Sequence, residues 1–381
     1  MSMAPPQGPG PATAGFEPPV YPYERLWGAR QLAEAHEGGV VDLSIGTPGD
    51  PPPPAVVGAL SSSNAERGYP ASVGSARYRE AAAGWMQRRL GAGMDPAEVY
   101  ACVGTKEFVT TLPHWLRLRR PDRDTVLYPS VSYPSYAMGA TLAGCRAVAV
   151  PVDQSWRLDL SGVELADAAR ALCLWVNTPG NPAGQLDDLG AAASWGRAHG
   201  VPVFSDECYV EFTWQGDRRS VLEHGREGVV ALHSLSKRSN LAGLRAGFYA
   251  GDAELTRYLS EVRKHVGMLV PGPVQAAGAV ALDDDAHVEA QREVYRDRIE
   301  VFRKLLGDLG VDAAEPEGGF YLWAPAPDGD AWRFTERLAV EGGCLVSPGD
   351  LYGAAGAGHV RVALVQPVQR LTLVAQRLAG S

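Results

Sequence analysis

Short apolar stretches alternate with longer helical patterns along most of the chain after Val40. Several of these stretches are apolar almost throughout, as in ALCLWVN, which is typical of a sheet covered on both faces by helices. The alternation favours βαβ crossovers, so the pattern predicts an α/β fold with a three-layer αβα large domain and a mostly parallel sheet. The predicted strands cover residues 99–103, 125–128, 146–151, 172–177, 202–206, 229–234 and 246–250.

The pattern changes after residue 273, where two long helices at 273–282 and 284–309 precede short strands near Phe320 and Val360. This change predicts a second, smaller α+β domain. We assign residues 46–273 to the large domain, and residues 23–45 with 274–381 to the small one. Residues 1–22 are rich in Pro, Gly and Ala and have little to bury, so they predict a flexible arm that becomes ordered near residues 21–26.

Charge and composition narrow the classes of partner. The 381 residues include 35 Lys plus Arg against 44 Asp plus Glu, a net charge of -9, which disfavours non-specific binding to nucleic acid or to an anionic membrane. The amino terminus lacks the basic start and apolar core of a signal peptide, and no apolar run reaches membrane-spanning length, so we expect a cytoplasmic protein. The five cysteines are scattered and the eight histidines form no ligand pattern, which predicts reduced thiols and no metal site.

One segment is dense in groups that bind anions. Residues 234–247, SLSKRSNLAGLRAG, follow an apolar strand and place Ser234, Ser236, Lys237 and Arg245 within twelve positions. A guanidinium suits a phosphate because its planar fork donates paired hydrogen bonds and stays charged. A lone loop lysine is nevertheless more often solvated, and an arginine here could simply hold a turn, so this segment needs support from others.

Three further segments follow predicted strands. Asp206 and Tyr209 lie in SDECY at the end of an apolar strand, where an acid alone is most often a turn or cap residue. The turn NTPGNPAG contains Asn181, and the Gly104-Thr-Lys turn lies between a strand and a helix, where backbone amides can face a phosphate.

These segments together resemble the class I and II aminotransferases. The matches are to S-x-S-K-x-x-x-x-x-G-x-R-x-G, D-E-x-Y and N-x-x-N-P-[TS]-G, with Ala183 at the Thr or Ser position, and they run in family order from Gly46 to Arg361. The resemblance implies the fold type I of aspartate aminotransferase and the cofactor pyridoxal 5'-phosphate. By the same resemblance, Lys237 attaches the cofactor and then moves the substrate proton, Asp206 faces the ring nitrogen, and Tyr209 and Asn181 face the ring hydroxyl.

The resemblance also assigns the remaining site residues. The residues implied to hold the phosphate are Ser234, Ser236, Arg245, Gly104, Thr105 and Lys106. Tyr133 is implied to stack on the cofactor ring, although it could be a packed core tyrosine. Arg361, Gly46 and Asn181 are implied to bind the substrate, and Tyr69 to reach the phosphate of a neighbouring subunit, which implies a homodimer with shared active sites.

The resemblance implies transamination between an amino acid and a 2-oxo acid. The strings GYPASVGSARYRE, SDECYVEF and HSLSKRSNLAGLRAGF are similar to the actinobacterial branch of N-succinyldiaminopimelate aminotransferases, which use glutamate and 2-oxoglutarate in lysine and diaminopimelate synthesis. That branch more often has tyrosine at Leu244, so another aminotransferase specificity stays open, as does a carbon-sulfur β-lyase that would share every cofactor contact. The arm near Tyr23 and the loop 267–273 are expected to form walls for the succinyl group.

Two other classes are weaker. A non-catalytic, cofactor-binding regulatory module is disfavoured because no DNA-binding domain precedes residue 40 and the charge is acidic. A nicotinamide-dependent dehydrogenase is disfavoured because the Gly-rich fingerprint after a first strand is absent.

Overall fold

The structure, a computed structural model, describes residues 15–380. Most of the predicted flexible arm therefore lies outside the described residues. Within its described part, residues 15–21 have no regular structure, and a 3-10 turn follows at Pro22–Leu26, as expected for the point where the arm becomes ordered.

The helices and strands of the described residues alternate as the sequence pattern predicts. The helices are α1 Trp27–Glu34, α2 Pro54–Ser62, α3 Ala76–Leu90, α4 Thr105–Arg119, α5 Ser135–Leu142, α6 Leu165–Arg170, α7 Leu189–His199, α8 Leu235–Arg238, α9 Ala253–Val266, α10 Gly272–Asp283, α11 Ala286–Asp308, α12 Ala331–Gly342 and α13 Val368–Gly380. The strands are β1 Val41–Asp42, β2 Val99–Cys102, β3 Thr125–Pro129, β4 Arg146–Val150, β5 Ala171–Asn177, β6 Val203–Asp206, β7 Val229–Ser234, β8 Gly247–Gly251, β9 Tyr321–Pro325, β10 Cys344–Leu345, β11 Ser347–Pro348 and β12 His359–Ala363.

A seven-stranded sheet, ordered β2-β8-β7-β6-β5-β3-β4, forms the centre of the large unit. β8 alone runs in the opposite direction to the other six strands, so the predicted α/β fold with a mostly parallel sheet is confirmed. Apolar side chains of α3, α7 and α10 pack on one face of the sheet, and those of α4, α5 and α9 on the other. This two-sided cover explains why every residue of β5 is buried.

The parallel register brings three polar strand ends to one edge of this sheet. Asn177 at the end of β5 is the partner of Asp206 at the end of β6, and β7 beside it ends at Ser234. The apolar residues of each strand are buried in the core. The polar residue at the end of each strand lies at the carboxyl edge of the sheet, where ligands of such folds bind.

A smaller antiparallel sheet, β11-β12-β9, lies with α11, α12 and α13 around a separate apolar cluster that also contains Val41 and Leu43. The predicted domain boundaries stay a prediction. The packing of α10, whose Val274, Ala277 and Leu282 belong to the cluster of the large sheet, favours moving the boundary from residue 274 to the start of α11.

None of the helices within residues 15–380 has both the length and the apolar character needed to cross a bilayer. The cysteines are free, and three of them, Cys102, Cys173 and Cys344, are buried.

A buried ion pair ties α11 to the loop after Gly46. The Arg298 guanidinium donates to both carboxylate oxygens of Asp50 at 2.7 and 2.6 Å, and Gln291 donates to the same carboxylate at 2.9 Å. Arg298 is 2% exposed, so loss of its acid would leave a buried charge without its partner.

We therefore expect Asp50→Ala to lower the free energy of unfolding by about 3–5 kcal/mol, measured by urea denaturation. The double variant Asp50→Leu with Arg298→Met removes both charges and should be less destabilised than Asp50→Ala. Glu341→Ala, which breaks the exposed pair with Arg337, is the control and should lower the free energy of unfolding by less than about 1 kcal/mol. If Asp50→Ala and the control lose equal free energy of unfolding, the Asp50–Arg298 pair does not stabilise the fold as argued.

Candidate active site

A cavity of about 400 Å³ opens where β5, β6 and β7 end, within the range of about 300–1,000 Å³ typical of small-molecule sites. The amino ends of α4 and α8, the segment 45–47 and the β12 residue Arg361 complete its walls. Its lining includes most of the residues predicted from the sequence: Gly46, Thr105, Lys106, Tyr133, Asn181, Asp206, Tyr209, Ser234, Ser236, Lys237, Arg245 and Arg361.

Lys237 lies in the single turn of α8, whose amino end is capped by Ser234 through a 3.1 Å bond from the Ser236 amide. The Lys237 amine donates to the backbone carbonyl of Gly46 from the opposite wall. Burial lowers the pKa of this amine to about 8, and the positive charges of Arg361 and Arg245 act in the same direction. A much larger fraction of this amine than of an ordinary lysine is therefore neutral and nucleophilic near neutral pH.

Asp206 ends β6 and is held by its neighbours. The Tyr136 hydroxyl donates to Oδ2 at 2.9 Å, and the Cys208 amide donates to Oδ1 at 3.3 Å. Burial raises the pKa of Asp206, while the Lys237 charge acts to lower it. A second cation placed against this carboxylate would lower the pKa further and be bound by it.

Arg245 and the amino end of α4 form a corner suited to an anion. Arg245 has a left-handed backbone, with φ of 55°, and donates through Nη1 to the Ala242 carbonyl at 2.9 Å. A Cβ added to Gly104, the residue that precedes α4, would lie 2.1 Å from Arg245 Nη2, so only glycine permits this approach. The guanidinium, the α4 amides and the hydroxyls of Ser234 and Ser236 can thus converge on one anionic group.

Arg361 is buried among aromatic rings at the far wall. It donates from Nη1 to Asn181 Oδ1 at 2.8 Å and from Nη2 to the Ser44 carbonyl at 2.5 Å. The guanidinium lies 4.4 Å from the Tyr321 ring centroid and 4.7 Å from that of Tyr352. Its Nε has no hydrogen-bond partner, and no carboxylate of the described residues pairs with it, although the side chain is only 1% exposed.

The turn that carries Asn181 is fastened to the strand ends. The Asn177 side chain accepts a bond from the Asn181 amide at 2.8 Å and donates to the Asp206 carbonyl at 2.9 Å. Asn181 is thereby held beside both Arg361 and the end of β6.

Tyrosines supply much of the remaining wall. The Tyr209 and Tyr321 hydroxyls are 2.8 Å apart, and burial raises the pKa of Tyr209, so this phenol stays protonated. A Cβ on Gly46 would lie 2.0 Å from the Tyr321 hydroxyl, so glycine is required there as well. Tyr133 lines the cavity with an aromatic face.

Two predicted segments do not reach this cavity within the chain. Tyr69 is 97% exposed and lies away from the lining, and the loop 267–273 does not line it either, whereas Tyr23 does. The loop 267–273 is therefore not a wall of the cavity in the single chain. The role implied for Tyr69 in a neighbouring subunit stays a prediction.

Sequence reasoning missed several lining residues. Tyr136 lies three positions after Tyr133 in a segment already singled out, and its spacing could have identified it. Tyr321 and Tyr21 gave no such signal, because only the tertiary structure brings β9 and the amino-terminal segment to the strand ends.

The charges around the cavity are unbalanced. Lys106, Lys237, Arg245 and Arg361 face it, whereas Asp206 is the acid in its lining. None of the four cations forms an ion pair with an Asp or Glu in the part of the chain that the structure describes. The cavity therefore suits a ligand with more than one anionic group and a cationic or proton-bearing nitrogen. No grouping of His, Cys, Asp and Glu within residues 15–380 could hold a metal ion.

Comparisons with known proteins agree with this chemistry. The family model of class I and II aminotransferases matches residues 38–378. Probable aminotransferase Rv1178 of Mycobacterium tuberculosis is 42% identical, covering 97% of this chain and 88% of that one. The 4-dedimethylamino-4-oxo-anhydrotetracycline transaminase OxyQ of Streptomyces rimosus is 40% identical, covering 95% and 99%. The structure of a probable N-succinyldiaminopimelate aminotransferase from Thermus thermophilus superimposes with a TM-score of 0.84 at 33% identity, covering 94% and 99%.

The Lys237 amine gives a pH prediction. Its rate of reaction with a small aldehyde, trapped by cyanoborohydride and located by mass spectrometry, should rise with pH and level off after a midpoint of about 8, because only the neutral amine attacks. An ordinary solvent-exposed lysine has a midpoint about two units higher. Arg361→Gln removes a positive charge that lowers the pKa of Lys237, so its midpoint should move upward. A midpoint near 10 for Lys237 in the unaltered protein would contradict this assignment.

Proposed function

Because the chain belongs to the class I and II aminotransferase family, we propose that it exchanges amino groups between N-succinyl-LL-diaminopimelate and 2-oxoglutarate, with pyridoxal 5'-phosphate attached at Lys237. The observation that carries the proposal is the buried, acid-free guanidinium of Arg361, which faces the same cavity as Lys237 and Asp206. A charge buried without a partner is unfavourable, and a substrate carboxylate supplies the missing one.

The residues that line the cavity include groups suited to each polar part of pyridoxal phosphate and to the face of its ring. Arg245 and the hydroxyls of Ser234 and Ser236 would hold its phosphate at the amino end of α4, and the glycine-only approach at Gly104 leaves room for this. Asp206 would hold the protonated ring nitrogen. Groups for the ring hydroxyl and ring face are supplied by Tyr209, Asn181 and Tyr133.

When bound, pyridoxal phosphate supplies a ring that accepts the electron pair released as a bond to the amino acid's α-carbon breaks. The chain's residues supply the rest. Arg361 and the backbone at Gly46 would orient the α-carboxylate. Lys237 Nζ, freed by the incoming amino group, would take the α-proton and return it to the cofactor carbon. Asp206 would keep the ring nitrogen protonated, and the Tyr209 hydroxyl would donate a hydrogen bond to the ring oxygen. One half-reaction must finish before the second substrate enters, so ping-pong kinetics are expected.

Lys106 supports a substrate with a second anionic group. Its amine projects from the first turn of α4 to the cavity, donates to the Tyr21 hydroxyl at 3.0 Å and lies 4.9 Å from the Tyr21 ring. It has no acid partner among residues 15–380. Diaminopimelate derivatives and glutamate both carry a distal carboxylate that a cation at this position can bind. The 33% identical Thermus thermophilus relative supports the same substrate class.

A flat polycyclic ketone is the second candidate for the amino acceptor. The similarity to OxyQ covers 99% of that protein. The tyrosine side chains of Tyr21, Tyr23, Tyr133 and Tyr321 give the cavity aromatic walls against which such rings can stack. A neutral ketone would leave Lys106 without an anionic partner, so the charge of this lysine favours the diaminopimelate derivative.

We also propose a homodimer with shared active sites. The side chain of Tyr69 is 97% exposed, which is unusual for a tyrosine in a single chain, and the family resemblance implies that it reaches the phosphate bound by a neighbouring subunit. Sedimentation of the cofactor-loaded protein as a monomer at micromolar concentration would contradict the proposal.

The reaction type and substrate can be tested together. Purified protein with pyridoxal phosphate is incubated with 2-oxoglutarate and a panel of donors, and glutamate is measured with the cofactor absorbance. We expect N-succinyl-LL-diaminopimelate to give the highest kcat/KM, and Lys237→Ala to lose all turnover. Pyruvate, ammonia and thiol formed without an acceptor would indicate a β-lyase instead. Preference for the 4-oxo-anhydrotetracycline ketone as acceptor would select the second candidate, and full activity in Lys237→Ala would refute the assignment of this lysine.

The distal-carboxylate role of Lys106 predicts a selective defect. Lys106→Met should lower kcat/KM for glutamate and the diaminopimelate derivative by about tenfold to hundredfold, since hydrogen bonds to charged groups contribute about 1.5–3 kcal/mol. Activity with alanine, which has no distal charge, should fall far less. Lys264→Met changes an exposed lysine paired with Glu261 and is the matched control. An equal loss with glutamate and alanine would assign Lys106 to the cofactor rather than to the substrate.

A further inference from the structure

A second carboxyl follows directly after Asp206 in the sequence. The side chain of Glu207 is fully buried and turns away from the cavity toward His233 on the neighbouring strand β7. The Oε2 atom of Glu207 lies 3.5 Å from Nε2 of His233, which is 2% exposed. Two adjacent carboxyls at one strand end therefore have opposite surroundings.

The Glu207 and His233 side chains have few other polar contacts. Glu207 Oε1 accepts a bond from the Val221 amide at 2.8 Å, and the Ser220 and Ser205 hydroxyls act on the Glu207 carboxyl in the direction that lowers its pKa. Glu207 Oε2 and both His233 ring nitrogens have no hydrogen-bond partner among the described residues. The rings of Trp85 and Phe248 pack against His233 at centroid distances of 4.9 and 5.1 Å. A net charge in these surroundings would be strongly unfavourable.

The neighbouring charges do not supply a counterion to the pair. Glu211 and Arg238 line the same small cavity as Glu207 and His233, but Arg238 Nε bonds Glu211 Oε1 at 3.2 Å, and Arg89 bonds the other Glu211 oxygen at 2.9 Å. On the other side, Asp206 repels a second negative charge. Burial raises the pKa of Glu207 to about 8, with the Asp206 charge acting in the same direction, and burial lowers the pKa of His233 to about 3.

We propose that Glu207 and His233 form a buried pair without net charge, in which the un-ionised Glu207 carboxyl donates its proton in a hydrogen bond to a neutral His233 ring. Asp206 is then the sole negative charge at the cofactor's ring nitrogen. The inference rests on the proposed function for the role of Asp206, while the protonation of the pair can be measured without it. Glu207 touches neither cofactor nor substrate and is a positioning residue that acts through Asp206. An ionised Glu207 would raise the proton affinity of Asp206 and of the ring system above it.

The protonation state is tested by infrared difference spectroscopy of the cofactor-loaded protein at pH 7. Glu207→Gln, nearly isosteric and able to donate to His233, should remove the carbonyl stretch of one un-ionised carboxylic acid. Glu293→Gln, which changes an exposed acid that bonds Arg296, should remove only a carboxylate band. Loss of a carboxylate band in Glu207→Gln would overturn the proposal.

The effect on Asp206 is tested by titrating the cofactor absorbance from pH 6 to pH 10. In the unaltered protein, the cofactor absorbance should change in a step near pH 8, where Glu207 loses its proton and the infrared band of the un-ionised acid disappears. Glu207→Gln should lack this step. Identical titrations would show that the charge of Glu207 is not felt at the cofactor and would overturn the positioning role. If the variant does not fold, the unaltered protein decides whether the charge of Glu207 is felt at the cofactor. An absorbance step at the same pH as the loss of the infrared acid band supports the positioning role, and a step at a different pH overturns it. Failure of the protein to bind pyridoxal phosphate would refute the proposed function and leave the infrared result intact.

Discussion

The site depends on cations that the protein leaves without acids. The chain has a net charge of -9, and its other buried arginines are paired with carboxylates. These pairs are Arg238 with Glu211, Arg263 with Glu107, Arg292 with Glu289 and Arg298 with Asp50. Arg361 and Arg245 differ because carbonyl and amide oxygens hold their geometry without neutralising their charge. The ligands must complete the charge balance, so binding and orientation come from the same unpaired groups.

Close backbone approach makes this arrangement possible. Gly104 lets the Arg245 guanidinium lie against the start of α4, and Gly46 lets the Tyr321 hydroxyl lie against the opposite wall. A side chain at either position would force a site residue to move, because its Cβ would lie 2.1 Å from the Arg245 guanidinium or 2.0 Å from the Tyr321 hydroxyl. Because the Gly46–Tyr321 contact reaches β9 of the smaller sheet, the cavity needs both units folded together, and the Asp50–Arg298 pair holds the loop after Gly46 in that position.

Local sequence was enough to predict the seven strands of the large sheet, the polar ends of β5, β6 and β7, and the segment around Lys237. Each of those features is set by a short apolar run followed by a polar residue. The surroundings of Arg361 were beyond such reasoning, because its partners Asn181 and Ser44 are 180 and 317 positions away in the chain. The helix α10 shows the same limit, since its apolar face fits either unit by pattern and only packing assigns it to the large sheet.

Adjacent residues in one motif can have opposite electrostatic roles. Asp206 faces a cavity lined by cations, whereas Glu207 faces aromatic rings and a histidine without a charged partner. The sequence D-E therefore does not describe two equivalent acids, and environment alone separates them. This separation would serve the proposed chemistry, because a single fixed negative charge at Asp206 gives a bound ring nitrogen a constant proton affinity. A second charge that ionises near neutral pH would make the electron-accepting power of the ring depend on small changes in pH, and a neutral Glu207 avoids that dependence below about pH 8.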